Sequence, residues 1–538
     1  MCGIWALLKT NVELSKLILD SIMMVSNRGP DSTNIHIENN YITCFHRLAI
    51  NDLSVCGNQP FYYSTENYNY ILMCNGEIYN HKILEEEFNI KTSSSSDCAV
   101  LLSLFIKLNE DFYTFNNLLR GEYAIIILKQ NKKNNQIDYF ASVDPLSVRP
   151  LFYYRNNEEI GISSILGGLS KLSNDVIRLN QGYYIIGNNY NRNFIMKRYH
   201  ELITSILDIN KEQLYREIVN TLIESVKLRL ESDRPLGCLL SGGLDSSLIA
   251  AIASLELKKK NQKLRTFSIG MEDGTDLKYA KMVAKHINSE HTVFYFDQQQ
   301  GLEAIEEVIK ATETYDITTI RASVGQYLIA KNIREKTDVK VVLNGDGADE
   351  CQMGYLYFYL HPNLEEARKD RDKLLEQIHC FDGLRVDRNI SYHGLEARVP
   401  FLDKEFVDLY YQIPTELLVP TKDNMEKYLI RKAFEVVMPD LLPKEVLWRK
   451  KEAFSDGVSS KEKSWYLIVK EHYSEKITEN EFNKEFEGIQ PLCKESYYYR
   501  QKFNELYGNN QRVIPRYWLP NWTETKDPSA RTLKVYDK

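Results

Sequence analysis

From about residue 213 onward, apolar stretches of strand length alternate with stretches of helical period, and this alternation limits the folds open to the chain. A helix is expected over Leu214 to Leu230, then a strand over Leu236 to Leu240 and a helix over Ser246 to Leu257. A strand over Leu264 to Ile269, a helix over Leu277 to Ile287 and a strand over Thr292 to Phe296 follow; after two further helices comes a strand over Val339 to Leu343. Strands separated by helices pair in parallel, with helices on both faces. Ligands on such sheets bind beyond the carboxyl ends of the strands. Two glycine-bearing loops fall there, Ser241-Gly242-Gly243-Leu244-Asp245-Ser246-Ser247 and Asn344-Gly345-Asp346-Gly347. The remainder is expected to be a mainly helical extension.

The first half reads as strands, clearest at Tyr70 to Cys74 and Tyr123 to Leu128, with helices expected over Leu14 to Ser26 and Asp97 to Leu108. A chain of 538 residues exceeds one ordinary core. The expected division is a domain over 2–188, a linker over 189–212 around an Asn-rich stretch, and a second domain over 213–538. The net charge is −7 and no dense basic stripe occurs, which argues against a nucleic-acid partner. No apolar run approaches a membrane span, and the short apolar opening lacks the basic lead of a secretory signal. Nine scattered cysteines with no CxxC pair fit a reducing, cytoplasmic setting. A homodimer is compatible with this reading, and nothing in the sequence decides the oligomeric state. His286 and His291 do not form a metal-binding HExxH pattern.

The chain opens Met1-Cys2-Gly3-Ile4. Removal of Met1 would leave a thiol beside a free α-amine, whose reference pKa of about 7.7–8.0 lets it take the thiol proton near neutrality. That is a self-activating terminal nucleophile. A thiolate attacking a carboxamide builds an oxyanion that needs donors, and Asn75 with the Gly76 N–H follows a strand where a rigid turn can aim them. Arg47 suits an α-carboxylate; Asp97 or Glu77 suits an α-ammonium.

These residues stand within Met1-Cys2-Gly3-Ile4, Arg28-Gly29-Pro30-Asp31, His46-Arg47-Leu48-Ala49-Ile50 and Asn75-Gly76-Glu77-Ile78-Tyr79-Asn80. Together they resemble the class II glutamine amidotransferase domain. The resemblance implies an α/β chain whose N-terminal half is the four-layer αββα sandwich of amino-terminal-nucleophile hydrolases. It implies Cys2 as nucleophile and Asn75 with Gly76 as oxyanion hole. It also implies glutamine held by Arg47, the segment Leu48, Ala49, Ile50 and Asn51, and by Asn75, Gly76, Glu77 and Asp97. Ser96 stands before Asp97 where some relatives carry Gly.

The loop from Ser241 to Ser247 closes an apolar strand and opens a helix, so its N–H groups and the helix dipole favour an anion. Gly242 and Gly243 let backbone approach phosphate oxygens, and Ser241, Ser246 and Ser247 add hydroxyl donors. Asp245 would repel phosphate without a cation between them, which reads as a Mg²⁺ ligand. The loop resembles the SGGxDS motif of ATP pyrophosphatases. With Glu313 to Ser323, Gly394 to Asp403, Trp448 to Gly457 and the tail Asp527 to Leu533, the chain resembles the glutamine-hydrolysing asparagine synthetases of eukaryotes. This implies ATP contacts at Leu239, Ile269, Asn344 and Gly345 besides the loop, and Asp245 with Asp349 facing magnesium pyrophosphate. It implies charge neutralisation by Lys451, with Lys450 the competitor one residue away, and aspartate contacts at Thr318, Thr319 and Arg321. The implied reaction joins ammonia from glutamine to aspartate through β-aspartyl-AMP, at the expense of ATP, with Mg²⁺.

One departure matters. The family's SGEGSDE reads Asn344-Gly345-Asp346-Gly347-Ala348-Asp349-Glu350 here. The acidic residue inside the loop is implied to support adenylate formation and ammonia attack, and Asp346 is one methylene shorter than Glu. A carboxylate withdrawn by about 1 Å costs on the order of 10²-fold in rate if its position is strict, unless the loop moves inward or a water bridges. The rival readings are a related ligase with another acceptor, such as a β-lactam-forming synthetase, and a non-catalytic regulatory homologue.

Overall fold

The computed structural model describes residues 1–190, 193–203, 205–452, 459 and 464–523; the expected motif residues at 453–457 and 527–533 lie outside them. Among the described residues, three sheets form. Two are antiparallel and six-stranded, in the orders Ile177–Arg178, Phe152–Arg155, Glu159–Ser163, Gly3–Lys9, Tyr41–Arg47, Ser32–Glu38 and Phe194–Arg198, Tyr183–Asn188, Ile137–Val143, Gly121–Asn131, Tyr68–Ile78, Phe61–Ser64. The third is five-stranded and parallel: Glu290–Tyr295, Arg265–Gly270, Leu236–Leu239, Val341–Leu343, Glu396–Arg398.

The period-2 alternation of strand side chains builds the layers of the first half. Along Gly3–Lys9, Ile4, Ala6 and Leu8 enter the core between the two antiparallel sheets, with Met73, Ala124 and Ile126 from the second sheet. Trp5 and Leu7 face the other way, into a cluster with Ile22 of the helix Lys16–Met23. On the far face of the second sheet, Leu72, Ile125 and Ile127 meet Leu101, Phe105, Phe112 and Phe115 of the helices Val100–Lys107 and Phe112–Leu118. The outcome is helix, sheet, sheet, helix, as expected.

Two features differ from the sequence reading. The strand Phe194–Arg198 pairs with Tyr183–Asn188, so the second sheet continues past residue 188, where a linker was expected to begin. The edge strand Glu396–Arg398 was not expected. It has three residues, two of them charged, and carries no apolar signal; it is buried and pairs in parallel with Val341–Leu343.

That edge strand faces the first half across a buried ionic lattice. Glu122, on the strand Gly121–Asn131, accepts from Arg149 Nη2 and Arg229 Nε, both at 2.8 Å, and from the Val399 N–H at 3.2 Å. Arg229 continues to Asp403 at 2.8 Å, which Arg120 also reaches at 2.9 Å. Arg149 donates to the Ala397 carbonyl at 2.6 Å, and Arg28 pairs with Asp387 at 2.7 Å. Glu313 accepts from the Leu166 and Gly167 N–H groups at 2.8 and 2.7 Å. The carboxylates of this lattice keep their partners only while both halves are in place. Glu122→Ala takes from two buried guanidiniums the carboxylate they share, leaving Arg229 with Asp403 and Arg149 with the longer contact to Asp387, and should cost about 3–5 kcal/mol. Urea unfolding of wild type and variant checks this, and a loss below about 1 kcal/mol would mean that the lattice is not coupled to folding.

Candidate active sites

The first site surrounds Cys2, whose partly exposed side chain packs with Leu236 against Leu48, Ile50 and Val341. The Leu48 N–H donates to Cys2 Sγ at 3.4 Å, and Arg28 Nε donates to the Cys2 carbonyl at 2.9 Å. Burial pushes the thiol up to about 11, only partly offset by the neighbouring α-ammonium. That ammonium belongs to Met1, which is buried; it lies 3.6 Å from Glu396 Oε2, and burial pushes its pKa down. With Met1 attached, the thiol is therefore a neutral group at physiological pH.

Asn75 is fully buried, and neither atom of its side-chain amide has a partner. An unspent buried amide is costly unless a ligand uses it. Asn75 and Gly76 lie inside the strand Tyr68–Ile78, opposite Ala124 and Tyr123, and not in a turn after a strand as expected. Gly76 has φ +152°, and a Cβ there would sit 2.0 Å from the Glu122 carbonyl oxygen of the neighbouring strand, so only glycine fits. Asn51 donates to Glu77 Oε2 at 2.6 Å and to Asp97 Oδ1 at 3.3 Å, while the Ile78 N–H reaches Asp97 Oδ2 at 2.6 Å. Burial, reinforced by Asp97, raises Glu77 well above the usual carboxylate range, and burial raises Asp97 as well. Two buried acids sharing one amide favour an added cation. One cation already comes from the other half: Arg398 Nη2 lies 3.1 Å from Glu77. Arg47 is held by the carbonyls of Ser54 (2.8 Å) and Asp52 and by Asn58 Oδ1 (2.6 Å). The Ala49 N–H is bound by Asp31 and the Ile50 carbonyl by the Asp233 N–H, so the 48–51 segment is fixed from both sides.

The second site is a cavity of about 260 Å³ at the carboxyl ends of the parallel strands. Leu239, Ser241, Gly243, Asp245, Ser246, Ile269, Asn344 and Gly345 line it, as do Thr318, Asp346, Asp349, Lys450 and Lys451. The helix Leu244–Lys259 begins there with Gly243 as its cap, presenting unpaired N–H groups. A Cβ on Gly345 would lie 2.7 Å from the Ser246 nitrogen, so the two loops touch. Four expected residues are elsewhere. Ser247, expected to add a hydroxyl donor, is fully buried and not on the wall. Gly242 is not on the wall; its carbonyl accepts from Arg449 at 3.0 Å. Thr319 is buried, hydrogen-bonded at 2.7 Å to Asp316, the cap of its own helix. Arg321 is paired with Glu495, its Nε 2.7 Å from Oε1, and sits over the Tyr466 ring.

Lys427, absent from the sequence reading, is nearly fully buried and bridges the two carboxylates read as metal ligands, 2.5 Å from Asp245 Oδ2 and 2.6 Å from Asp349 Oδ1. Lys451 binds the other oxygen of Asp349. Burial alone would raise Asp349, but these ammoniums hold it below the usual carboxylate range. Two carboxylates converging on one cation, with Asp245 Oδ1 buried and unpartnered, fit a divalent ion shared with phosphate. Nothing in the sequence marks Lys427, because the Lys422–Lys427 stretch reads as a polar loop. Asp346 is not withdrawn and idle: Gln326 Nε2 donates to its Oδ2 at 2.9 Å, and Arg385 holds its Oδ1.

Fold and sites together define a two-domain enzyme, with Cys2 and an unspent buried amide in one half and a glycine-bearing loop at a helix start on a parallel sheet in the other. Residues 1–212 match the family model for the glutamine amidotransferase domain; 217–379 and 372–530 match that for asparagine synthase. The glutamine-hydrolysing asparagine synthetases of Gallus gallus, Rattus norvegicus and Homo sapiens are 39%, 40% and 39% identical to the chain, each alignment covering 100% of it and 99% of the relative. The chain belongs to the glutamine-hydrolysing asparagine synthetase family.

Glu396 provides a test of how the halves meet. Burial by itself would raise it, but Arg398 and the α-ammonium outweigh burial and hold it at about 2, below its ordinary 4.5. A depressed pKa contributes stability that is present above the unfolded value and lost as pH falls toward the folded one. In protein that retains Met1, wild-type stability should therefore drop between about pH 4.5 and about pH 2 more steeply than that of Glu396→Gln. Denaturant melts across this range measure the two slopes, and equal slopes would remove Glu396 from the pairing.

Proposed function

We propose that the chain makes asparagine from aspartate, ATP and glutamine, releasing AMP, pyrophosphate and glutamate. The observation that carries this is the convergence of both loops with Asp349 and Lys451 in one cavity, in a chain that also holds an unspent buried amide in the half that carries Cys2.

In the first site, excision of Met1 gives Cys2 its own α-amine, which takes the thiol proton. The thiolate adds to the glutamine carboxamide carbon. Asn75 Nδ2 and the Gly76 N–H donate to the developing oxyanion; Glu77 and Asp97 take the α-ammonium, and Arg47 the α-carboxylate. Ammonia leaves with the proton the amine had taken, and water releases glutamate from the thioester. The apolar contact of Leu48, Ile50 and Val341 beside Cys2 supports a dry route toward the parallel sheet.

In the second site, the aspartate β-carboxylate attacks the α-phosphorus of ATP, and pyrophosphate departs into the Ser241–Ser246 loop. Lys451 meets the charge that builds on the phosphate, and Thr318 remains on the cavity wall as an aspartate contact. Asp245 and Asp349 would hold Mg²⁺, which when bound offsets the charge of the leaving pyrophosphate. Ammonia then displaces AMP from β-aspartyl-AMP. All nine cysteines are free and no described helix is long and apolar enough to cross a membrane; we place the reaction in the cytoplasm, where thiols stay reduced.

Aspartate-dependent pyrophosphate release with glutamine or ammonia as nitrogen source tests the reading. Cys2→Ala should lose glutamate formation by a factor of about 10³ or more while ammonia-driven asparagine formation stays within about twofold. No pyrophosphate with either donor would defeat the proposal. A separate outcome concerns the shortened acid. Because Asp346 is clamped on both oxygens, Asp346→Glu should lower ammonia-dependent synthesis by about 10- to 10²-fold. A rise would mean that the shorter side chain is poorly placed.

A further inference from the structure

Gln326 lies on the helix Ile317–Lys336, where Thr318, Ala322, Gln326 and Ile329 face the cavity together. Its side chain is 5% exposed. Its amide nitrogen donates to Asp346 Oδ2 at 2.9 Å, which sets the amide orientation, because the reverse would place two acceptors against each other. The other end, Oε1, is buried and accepts nothing. A buried acceptor without a donor is costly unless a ligand satisfies it. Ala322 and Ile329, which line the cavity from the same helix, are apolar, so the amide is the neutral polar group that this stretch of helix brings beside the Asp346–Arg385 pair.

The reaction assigned above needs a small donor at this place. Ammonia carries three N–H bonds and one lone pair. A carboxylate alone would favour its protonation to ammonium and so remove the lone pair. A neutral amide oxygen accepts an N–H without that penalty, and the Arg385 guanidinium, bound to Asp346 Oδ1 and 2.8 Å from Asp382, repels ammonium.

We propose that Gln326 Oε1 and Asp346 together form the ammonia-binding site of the synthetase half, a role that rests on the reading of the chain as an asparagine synthetase. One N–H goes to Gln326 Oε1 and a second to the Asp346 carboxylate, which leaves the lone pair for the acyl carbon of β-aspartyl-AMP. As the C–N bond forms, the nitrogen becomes cationic and passes one proton to Asp346. The tetrahedral centre then collapses, and the C–O bond to AMP breaks with its electron pair on the phosphate oxygen. Burial raises Asp346 above the usual carboxylate range, which makes it a better acceptor for that proton.

The experiment uses the full-length enzyme and varies ammonia at saturating aspartate and ATP. Gln326→Met and Gln326→Leu keep about the same volume and remove the Oε1 acceptor together with the Nε2 donor to Asp346, so aspartate-dependent exchange is followed alongside as the reading of whether Asp346 is disturbed. Both should raise the KM for ammonia about tenfold or more, with the KM for aspartate and the aspartate-dependent ATP–pyrophosphate exchange unchanged within about twofold. With glutamine as donor, glutamate formed should exceed asparagine formed, because unheld ammonia escapes. An unchanged KM for ammonia in the variants overturns the assignment. So does a rise in the KM for aspartate, which would make Oε1 a partner of the aspartate α-ammonium. Loss of exchange in step with loss of synthesis also overturns it, in favour of a role confined to positioning Asp346. Wild-type enzyme that forms no asparagine from ammonia would instead defeat the functional reading itself.

Discussion

The structure depends on a carboxylate that its own half does not satisfy. Glu122 lies within an antiparallel strand, yet its partners are Arg149 from its own half, Arg229 from the other, and the Val399 N–H beside the edge strand of the parallel sheet. An ion buried this completely is tolerated only when every lone pair is met. The consequence is geometric. The two halves meet in one register, and in that register the three-residue strand Glu396–Arg398 touches both sites. The Arg398 side chain reaches Glu77 in the amide pocket, while its backbone carbonyl accepts from the Asn344 N–H at 2.9 Å, at the start of the loop that carries Asp346. Interfaces built on hydrophobic contact alone tolerate sliding; this one does not.

The nucleotide cavity shows a second use of buried charge. Asp245 and Asp349 face each other across Lys427, and Lys451 completes the neutralisation. Four charged groups in one small volume are stable because they alternate in sign. The same arrangement readies the site for a ligand that brings its own excess of negative charge together with a cation. Lysines already paired with carboxylates can turn to phosphate when a divalent ion takes the carboxylates.

The short motifs were legible in the sequence because each is a local requirement. A thiol at position two and a serine- and glycine-rich turn at a helix start are decided within a few residues of chain; the need for glycine at 76 comes instead from the Glu122 carbonyl on the neighbouring strand. Most expected ATP contacts fall on one cavity for the same reason, since they lie at the ends of neighbouring strands. Arg321 failed because a motif matches residue types and not the direction of a side chain on a helix. Its neighbour Thr318 faces the cavity, and Arg321, three residues on, turns to Glu495 on a helix whose position no local pattern reveals.

The sequence by itself determined the chemistry at hand: a potential terminal nucleophile, an Asn-Gly pair of candidate oxyanion donors, an anion loop on a parallel sheet, and an acid one methylene short. Tertiary structure alone decided who supports them. Lys427 reaches Asp245 across 182 residues, Arg398 reaches Glu77 across the junction of the halves, and Gln326 meets Asp346 from a different element. Periodicity and propensity describe interactions within one element. A long charged or amide side chain between elements obeys neither, and its partner is known only once the elements are packed.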